Sequence, residues 1–162
     1  MKHFKLPLLL SLLMWLSACA KPVFDTAELE FERDLMPDEV SAQAGEHDGQ
    51  QVLWGGMVLD TRNLENSTQI EVLAYPLNRY QRPSLSSRPR GRFIIIQPGY
   101  LEAVNYSQGR QVSVLGTLTE SRRGKIGATE YDYPVVEVQK LHLWPEGSEP
   151  RTTFHFGFGI QL

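Results

Sequence analysis

Five segments after residue 50 have the pattern of β-strands: hydrophobic and polar residues alternate in several of them, and the third has a nearly continuous apolar core. In the second segment Ile70, Val72 and Ala74 fall on one face. No stretch after residue 40 keeps the 3.6-residue period of an amphipathic helix over three turns. The pattern therefore predicts a mostly β domain. The five predicted strand segments are QVLWGGMVLDTRNL, STQIEVLAYPL, GRFIIIQPG, RQVSVLGTLTESRRG and YDYPVVEVQKLHLWP.

Five short strands, several of which contain glycine, predict a small OB-like Greek-key β-barrel. In that fold the connection between the third and fourth strands caps one end. A sandwich of six or seven strands is the competing topology. The tail from Phe154 to Ile160 alternates phenylalanine and isoleucine with histidine and glycine. It is predicted to be a sixth strand or an apolar edge for a partner.

The first residues have the pattern of a secretion signal. Lys2 and Lys5 precede an apolar run from Leu6 to Leu16. Eleven residues span only about 16 Å as a helix, roughly half of a hydrocarbon core of about 30 Å. The run is therefore predicted to be a signal peptide and not a membrane span. It ends in Leu-Ser-Ala directly before Cys19, the only cysteine of the chain.

The stretch Leu16-Ser17-Ala18-Cys19 resembles the bacterial lipobox. The resemblance implies transfer of a diacylglyceryl group to the Cys19 thiol, cleavage before Cys19, and acylation of the new amine. Several acyl chains would make membrane anchoring effectively stable. Ala20 stands where an aspartate commonly means retention in the inner membrane, so the resemblance favours sorting to the outer membrane.

Charge and composition then divide the chain into three parts. Residues 1–18 are predicted to be the lipoprotein signal peptide, 19–50 an acidic N-terminal tether, and 51–162 the barrel domain. Residues 19–51 carry two basic and nine acidic side chains, with a helical turn or two expected around Thr26–Leu35. A solvated tether of this kind would hold the domain away from the membrane. The whole chain has a formal net charge of −3, which gives no nucleic-acid signature.

Basic residues concentrate in two predicted loops, and they are the candidate binding residues. If both loops lie at one end of the barrel, they would form a cationic patch for the phosphate or carboxylate groups of an anionic lipid or glycan. The alternative is solubilising charge that the acidic tether partly neutralises. The first loop holds Arg79, Arg82, Arg88, Arg90 and Arg92, and the second, expected as the turn between strands four and five, holds Arg122, Arg123 and Lys125.

No catalytic or metal-binding motif is present in the sequence. Serines occur without the Gly-x-Ser-x-Gly pattern, and no two histidines have metal-ligand spacing. His142, beside Trp144, is predicted to be a partly buried barrel histidine. The sequence therefore predicts a non-enzymatic protein without cofactor.

The lipobox and the strand segments together resemble the Slp family of outer-membrane lipoproteins, the starvation-inducible lipoproteins of Gram-negative bacteria. The resemblance extends over nearly all of the mature chain. It implies an outer-membrane lipoprotein that faces the periplasm and supports the envelope under starvation, with no established enzymatic activity. Only Cys19 carries over as a site residue. The implied partners are the outer membrane, through the acyl chains, and either an anionic lipid, a glycan or another envelope protein.

Overall fold

A computed structural model describes residues 21–27 and 34–147 of the chain. Cys19 and the tail Phe154–Ile160 lie outside the described residues, so the predictions made for them stay predictions. The elements in chain order are helix α1 (Pro37–Ala42) and strands β1 (Gln51–Asn63), β2 (Ser67–Ala74), β3 (Arg92–Pro98), β4 (Gln111–Ile126) and β5 (Thr129–Leu143). Within the described ranges no helix is long and apolar enough to cross a membrane.

The five strands form a closed barrel in the order β1-β2-β3-β5-β4. Every neighbouring pair is antiparallel except β3 and β5, which run parallel. This order is the Greek-key arrangement of OB-like barrels. The prediction of a mostly β, OB-like barrel is confirmed, and the described strands do not form the alternative sandwich.

Two glycines allow strands to cross closely where the barrel coils. Gly56 pairs with Ala74 of β2 and with Val112 of β4, so it lies where β1 passes from one neighbour to the other. A Cβ atom at Gly56 would stand 2.0 Å from the carbonyl oxygen of Leu73, and one at Gly116 would stand 2.3 Å from that of Glu137. Because both obstacles are backbone atoms, these positions require glycine.

The barrel interior is filled by branched and aromatic side chains, with Trp54 and Phe93 in edge contact at 5.2 Å between ring centroids. Leu101 and Tyr106, in the connection between β3 and β4, pack against one end of this core. The predicted capping role of that connection is therefore present. The other end is closed by Leu35 and Val40, which precede β1.

The described part of the predicted tether is packed on the barrel. Phe24, Leu35 and Val40 are all buried. Helix α1 begins at Pro37, after the Thr26–Leu35 stretch where a helical turn was expected, and residues 28–33 of that stretch lie outside the described residues. The apolar residues of this segment are few and irregularly spaced among carboxylates, so no period reveals that they belong to the core.

Strands β4 and β5 continue beyond the barrel as a hairpin arm, residues 119–135. Glu120 and Ser121 stand opposite Pro134, a bulge that bends the arm and needs no amide donor from the proline. The arm lies over β3, where Tyr133 and Ile94 belong to a second apolar cluster.

The arm corrects one expectation about the cationic residues. Arg122, Arg123 and Lys125 belong to β4 and pair with residues of β5, and the turn lies at residues 127–128. Because the arm extends beyond the barrel, both of its faces carry polar residues. Its sequence therefore resembles that of a turn.

We expect Gly116→Ala to lower the free energy of unfolding by more than about 2 kcal/mol, since the new methyl group meets backbone. Gly127→Ala is the matched control. Its Cβ would meet open space, and only its positive φ of 62° adds strain, at about 1 kcal/mol. Urea unfolding measures the free energy of unfolding of both variants. Equal decreases in the two would contradict the close approach of β4 and β5 at Gly116.

Candidate functional site

The side chain of Gln81 holds the N-terminal segment against the barrel. The Phe24 amide donates to Gln81 Oε1 at 2.7 Å, and Gln81 Nε2 donates to the Phe24 carbonyl oxygen at 3.0 Å. Gln81 is only 8% exposed, and its φ of 64° is the only positive value among the described non-glycine residues. The carboxamide thus satisfies both backbone groups of Phe24, as a neighbouring strand would. We call this pair of hydrogen bonds the Gln81 clamp.

The clamp belongs to a tight turn at the tip of the β2–β3 loop, residues Asn78–Arg82, which we call the loop tip. Asn78 Oδ1 accepts hydrogen bonds from the amides of Tyr80 and Arg82, at 2.9 and 3.1 Å. Asparagine commonly fixes a turn in this way. The turn holds Gln81 in its left-handed conformation and points its side chain toward Phe24.

A buried polar chain links the loop tip to the barrel wall. Ser113 Oγ donates to the carbonyl oxygen of Gln81 at 2.6 Å, and Trp144 Nε1 donates to Ser113 Oγ at 2.9 Å. Gly55, opposite Ser113 on β1, leaves room for Leu77 of the loop. The loop tip therefore lies over the seam between β1 and β4.

A groove of about 630 Å³ opens between the N-terminal segment, β1 and the β2–β3 loop. Leu53 and Trp54 contribute apolar surface from β1, while Tyr75 and Arg79 contribute from the loop. Aromatic, apolar and charged residues all line the groove, and this mixture does not indicate one class of ligand.

Arg90 and helix α1 form a second attachment of the N-terminal segment. Arg90 Nε contacts Asp38 Oδ2 at 2.7 Å, and Arg90 Nη2 contacts Glu39 Oε1 at 2.8 Å. The hydrogen bond to Asp38 raises the pKa of Arg90 above its ordinary value. Nearby, Trp54 Nε1 donates to the carbonyl oxygen of Leu35 at 2.8 Å in a buried setting. Arg90, predicted as an anion-binding residue, binds carboxylates of its own chain.

Three more of the predicted cationic residues contact polar groups of this chain. Arg92 Nη1 contacts Glu71 Oε1 at 2.9 Å, and Arg122 Nη1 donates to Gln69 Oε1 at 3.0 Å. Arg123 Nε lies 3.3 Å from Asp132 Oδ1. Tyr133 also donates to Glu71, and burial together with this carboxylate raises the pKa of Tyr133.

The remaining predicted residues lie at the surface or beside aromatic rings. Arg79 places its guanidinium 4.6 Å from the centre of the Tyr80 ring. Arg82 Nε donates to Gln111, and its guanidinium lies 5.4 Å from the centre of the Trp144 ring. Arg88, in the β2–β3 loop, and Lys125, in the arm, are exposed.

The two ends of the first cationic segment lie at different distances along the barrel from the arm, which carries the second segment. The loop tip lies over the β1–β4 seam, whereas the arm contacts β2 through Gln69 and Glu71. Arg92, at the other end of the first segment, lies against the arm: its amide donates to Tyr131 Oη at 3.0 Å, and Tyr131 Oη donates to its carbonyl oxygen at 3.2 Å. Anion binding by either segment, or by the two together, stays a prediction.

Sequence reasoning missed Gln81, Ser113 and Arg110. Arg110 Nη2 donates to the carbonyl oxygen of Trp144 at 3.2 Å, and Nη1 lies 3.3 Å from Glu146. A polar residue within a turn, or a serine among strand valines, carries no signal of burial. Among the described residues no group of three or more histidine, cysteine, aspartate or glutamate side chains has metal-binding geometry.

Replacing Gln81 tests the clamp. We expect Gln81→Ala to raise hydrogen exchange at the Phe24 amide and to lower the free energy of unfolding by about 1–3 kcal/mol, because two buried backbone groups lose their partners. Gln139→Ala, which removes an exposed glutamine of β5, is the control and should change neither quantity. Unchanged exchange at Phe24 in Gln81→Ala would contradict the clamp.

His142 gives a pH-dependent prediction. Its ring lies edge-on to Trp144 at 4.5 Å, and burial lowers the pKa of His142 below its ordinary value of 6.5. The unfolded chain then binds this proton more readily, so stability falls as the pH drops below about 6.5. The loss is at most about 1.4 kcal/mol per pH unit for one proton.

We therefore expect His142→Gln to lose less stability than the parent chain between pH 7.5 and 5.5, as measured by urea unfolding. The difference in the free energy of unfolding between the two proteins at pH 7.5 reports packing alone and serves as the internal reference. Parallel curves for the two proteins would show that His142 does not carry the effect.

Comparisons with known proteins give the family of the chain. The outer membrane lipoprotein Slp family matches residues 16–159. Outer membrane protein Slp of Escherichia coli strain K12 is 29% identical over 157 residues, 94% of this chain and 82% of that protein. An uncharacterized protein of Haemophilus influenzae strain Rd is 32% identical over 113 residues, 69% of this chain and 58% of its own length.

The uncharacterized lipoprotein YeaY of Escherichia coli strain K12 is 34% identical over 96 residues, 59% of this chain and 49% of that protein. The family match begins at residue 16, includes all five strands and reaches into the C-terminal tail. The chain belongs to the outer membrane lipoprotein Slp family.

Proposed function

We propose that this protein is an outer-membrane lipoprotein, anchored by acyl chains on Cys19, whose barrel domain faces the periplasm. In this proposal the domain is non-enzymatic and supports the envelope under starvation through contacts with envelope components. The names of two relatives, an outer membrane protein and a lipoprotein, support the location. The lipobox before Cys19 supports the anchor.

The observation that carries the proposal is the match to the outer membrane lipoprotein Slp family over residues 16–159. The Gln81 clamp adds how near the barrel would lie to the anchor. Phe24 is five residues after Cys19, a distance that an extended chain covers in at most about 18 Å. Both backbone groups of Phe24 are bound by the barrel's own loop. An acylated Cys19 would therefore hold the barrel close to the membrane surface.

The alternative function is a binding module for an anionic lipid or glycan, built from the predicted arginine loops. It has less support, because Arg90, Arg92 and Arg123 already contact carboxylates. Arg122 is likewise engaged, by the side chain of Gln69.

Intact mass and membrane fractionation test the anchor. We expect the native protein to begin at Cys19, to carry added acyl mass, and to fractionate with the outer membrane. Cys19→Ser should lose the acyl mass and keep its signal sequence, since the thiol is the acceptor. Ser17→Ala keeps a small residue before the cysteine and should be processed normally. A soluble, unmodified native protein would contradict the proposal.

A further inference from the structure

We infer that the loop tip, residues Asn78–Arg82, rests on the membrane surface together with Lys21, with the exposed position 79 at that surface. This inference rests on the proposed function, because it requires acyl chains at Cys19. It adds an orientation: the β1–β4 seam of the barrel faces the lipid, and the arm faces away from it.

The first step is the reach of the chain. Lys21 comes two residues after Cys19, a span of about 7 Å. From Lys21 the chain continues to Phe24, which the Gln81 clamp fixes beside the loop tip. The loop tip therefore lies beside the part of the chain that enters the membrane.

The second step is the chemistry of the exposed side chains. Arg79 is exposed, and its guanidinium stacks on Tyr80 at 4.6 Å. A guanidinium can bind phosphate oxygens in pairs, and tyrosine favours the interface between lipid and water. Lys21 is also exposed and adds a second positive charge. The exposed carboxylate of Asp25 accepts a hydrogen bond from the amide of Ala27, and Asp34 and Glu39 line the groove beside Arg79, so the favourable charge at this surface is carried by Lys21 and Arg79 at its edge.

The third step is the contrast with the arm. The arm carries Arg122, Arg123 and Lys125, all exposed, over β2 and β3. If cationic charge alone determined which side faces the membrane, the arm could face it as readily as the loop tip. The clamp favours the loop tip, because it joins the anchored segment to the loop tip and not to the arm.

Depth measurements on the acylated full-length protein test this orientation. Acylation occupies the thiol of Cys19, so one introduced cysteine can be labelled selectively with an environment-sensitive fluorophore. Arg79→Cys labels the loop tip, and Lys125→Cys, an exposed cation of the arm, is the matched control. Both proteins are reconstituted in vesicles of phosphatidylethanolamine and phosphatidylglycerol that contain lipids with a quencher near the headgroup.

We expect the label at residue 79 to be quenched several-fold more strongly than the label at residue 125. Adding Gln81→Ala to Arg79→Cys should reduce the difference, since the clamp sets the orientation. Equal quenching at both positions, or stronger quenching at residue 125, would overturn the inference while the protein still floats with the vesicles. Failure to float with the vesicles would instead contradict the proposed anchor.

Discussion

The position of the domain relative to the proposed anchor at Cys19 depends on one buried side chain, the carboxamide of Gln81. It satisfies the amide and the carbonyl of Phe24 at once, and it does so from a left-handed turn that Asn78 holds. Loss of both hydrogen bonds would lower the free energy of unfolding by about 1–3 kcal/mol. Phe24, five positions after the proposed acylation site Cys19, is thereby fixed to the barrel wall.

The charged contacts have a smaller role in this attachment. The ion pairs of Arg90 with Asp38 and Glu39 are partly exposed, with side-chain exposures between 36% and 50%. Exposed pairs contribute about 0–1 kcal/mol. Burial of Phe24, Leu35 and Val40, and the hydrogen bond from Trp54 to Leu35, carry more of the energy. The acidic N-terminal segment is thus attached to the barrel mainly through its apolar residues, and its charged residues contribute less.

The strands and the barrel could be predicted because period-two alternation is local and survives in a single sequence. The closure of the barrel end by Leu35 and Val40 could not, since those residues show no period. The clamp joins residues 57 apart, and nothing near either residue reveals the other. The sequence predicts a turn at residues 122–125, because these residues lie outside the barrel and do not alternate between buried apolar and exposed polar side chains as its strands do.

The central claim is that the barrel sits at the membrane surface because Phe24 is clamped to it. Neutron reflectometry of the acylated protein on a supported bilayer measures the water gap between headgroups and protein. The clamp predicts a gap no wider than the reach from Cys19 to Phe24, at most about 18 Å. A free tether over residues 19–50 would hold the domain at a mean distance of about 30 Å, and a gap of that width would contradict the account.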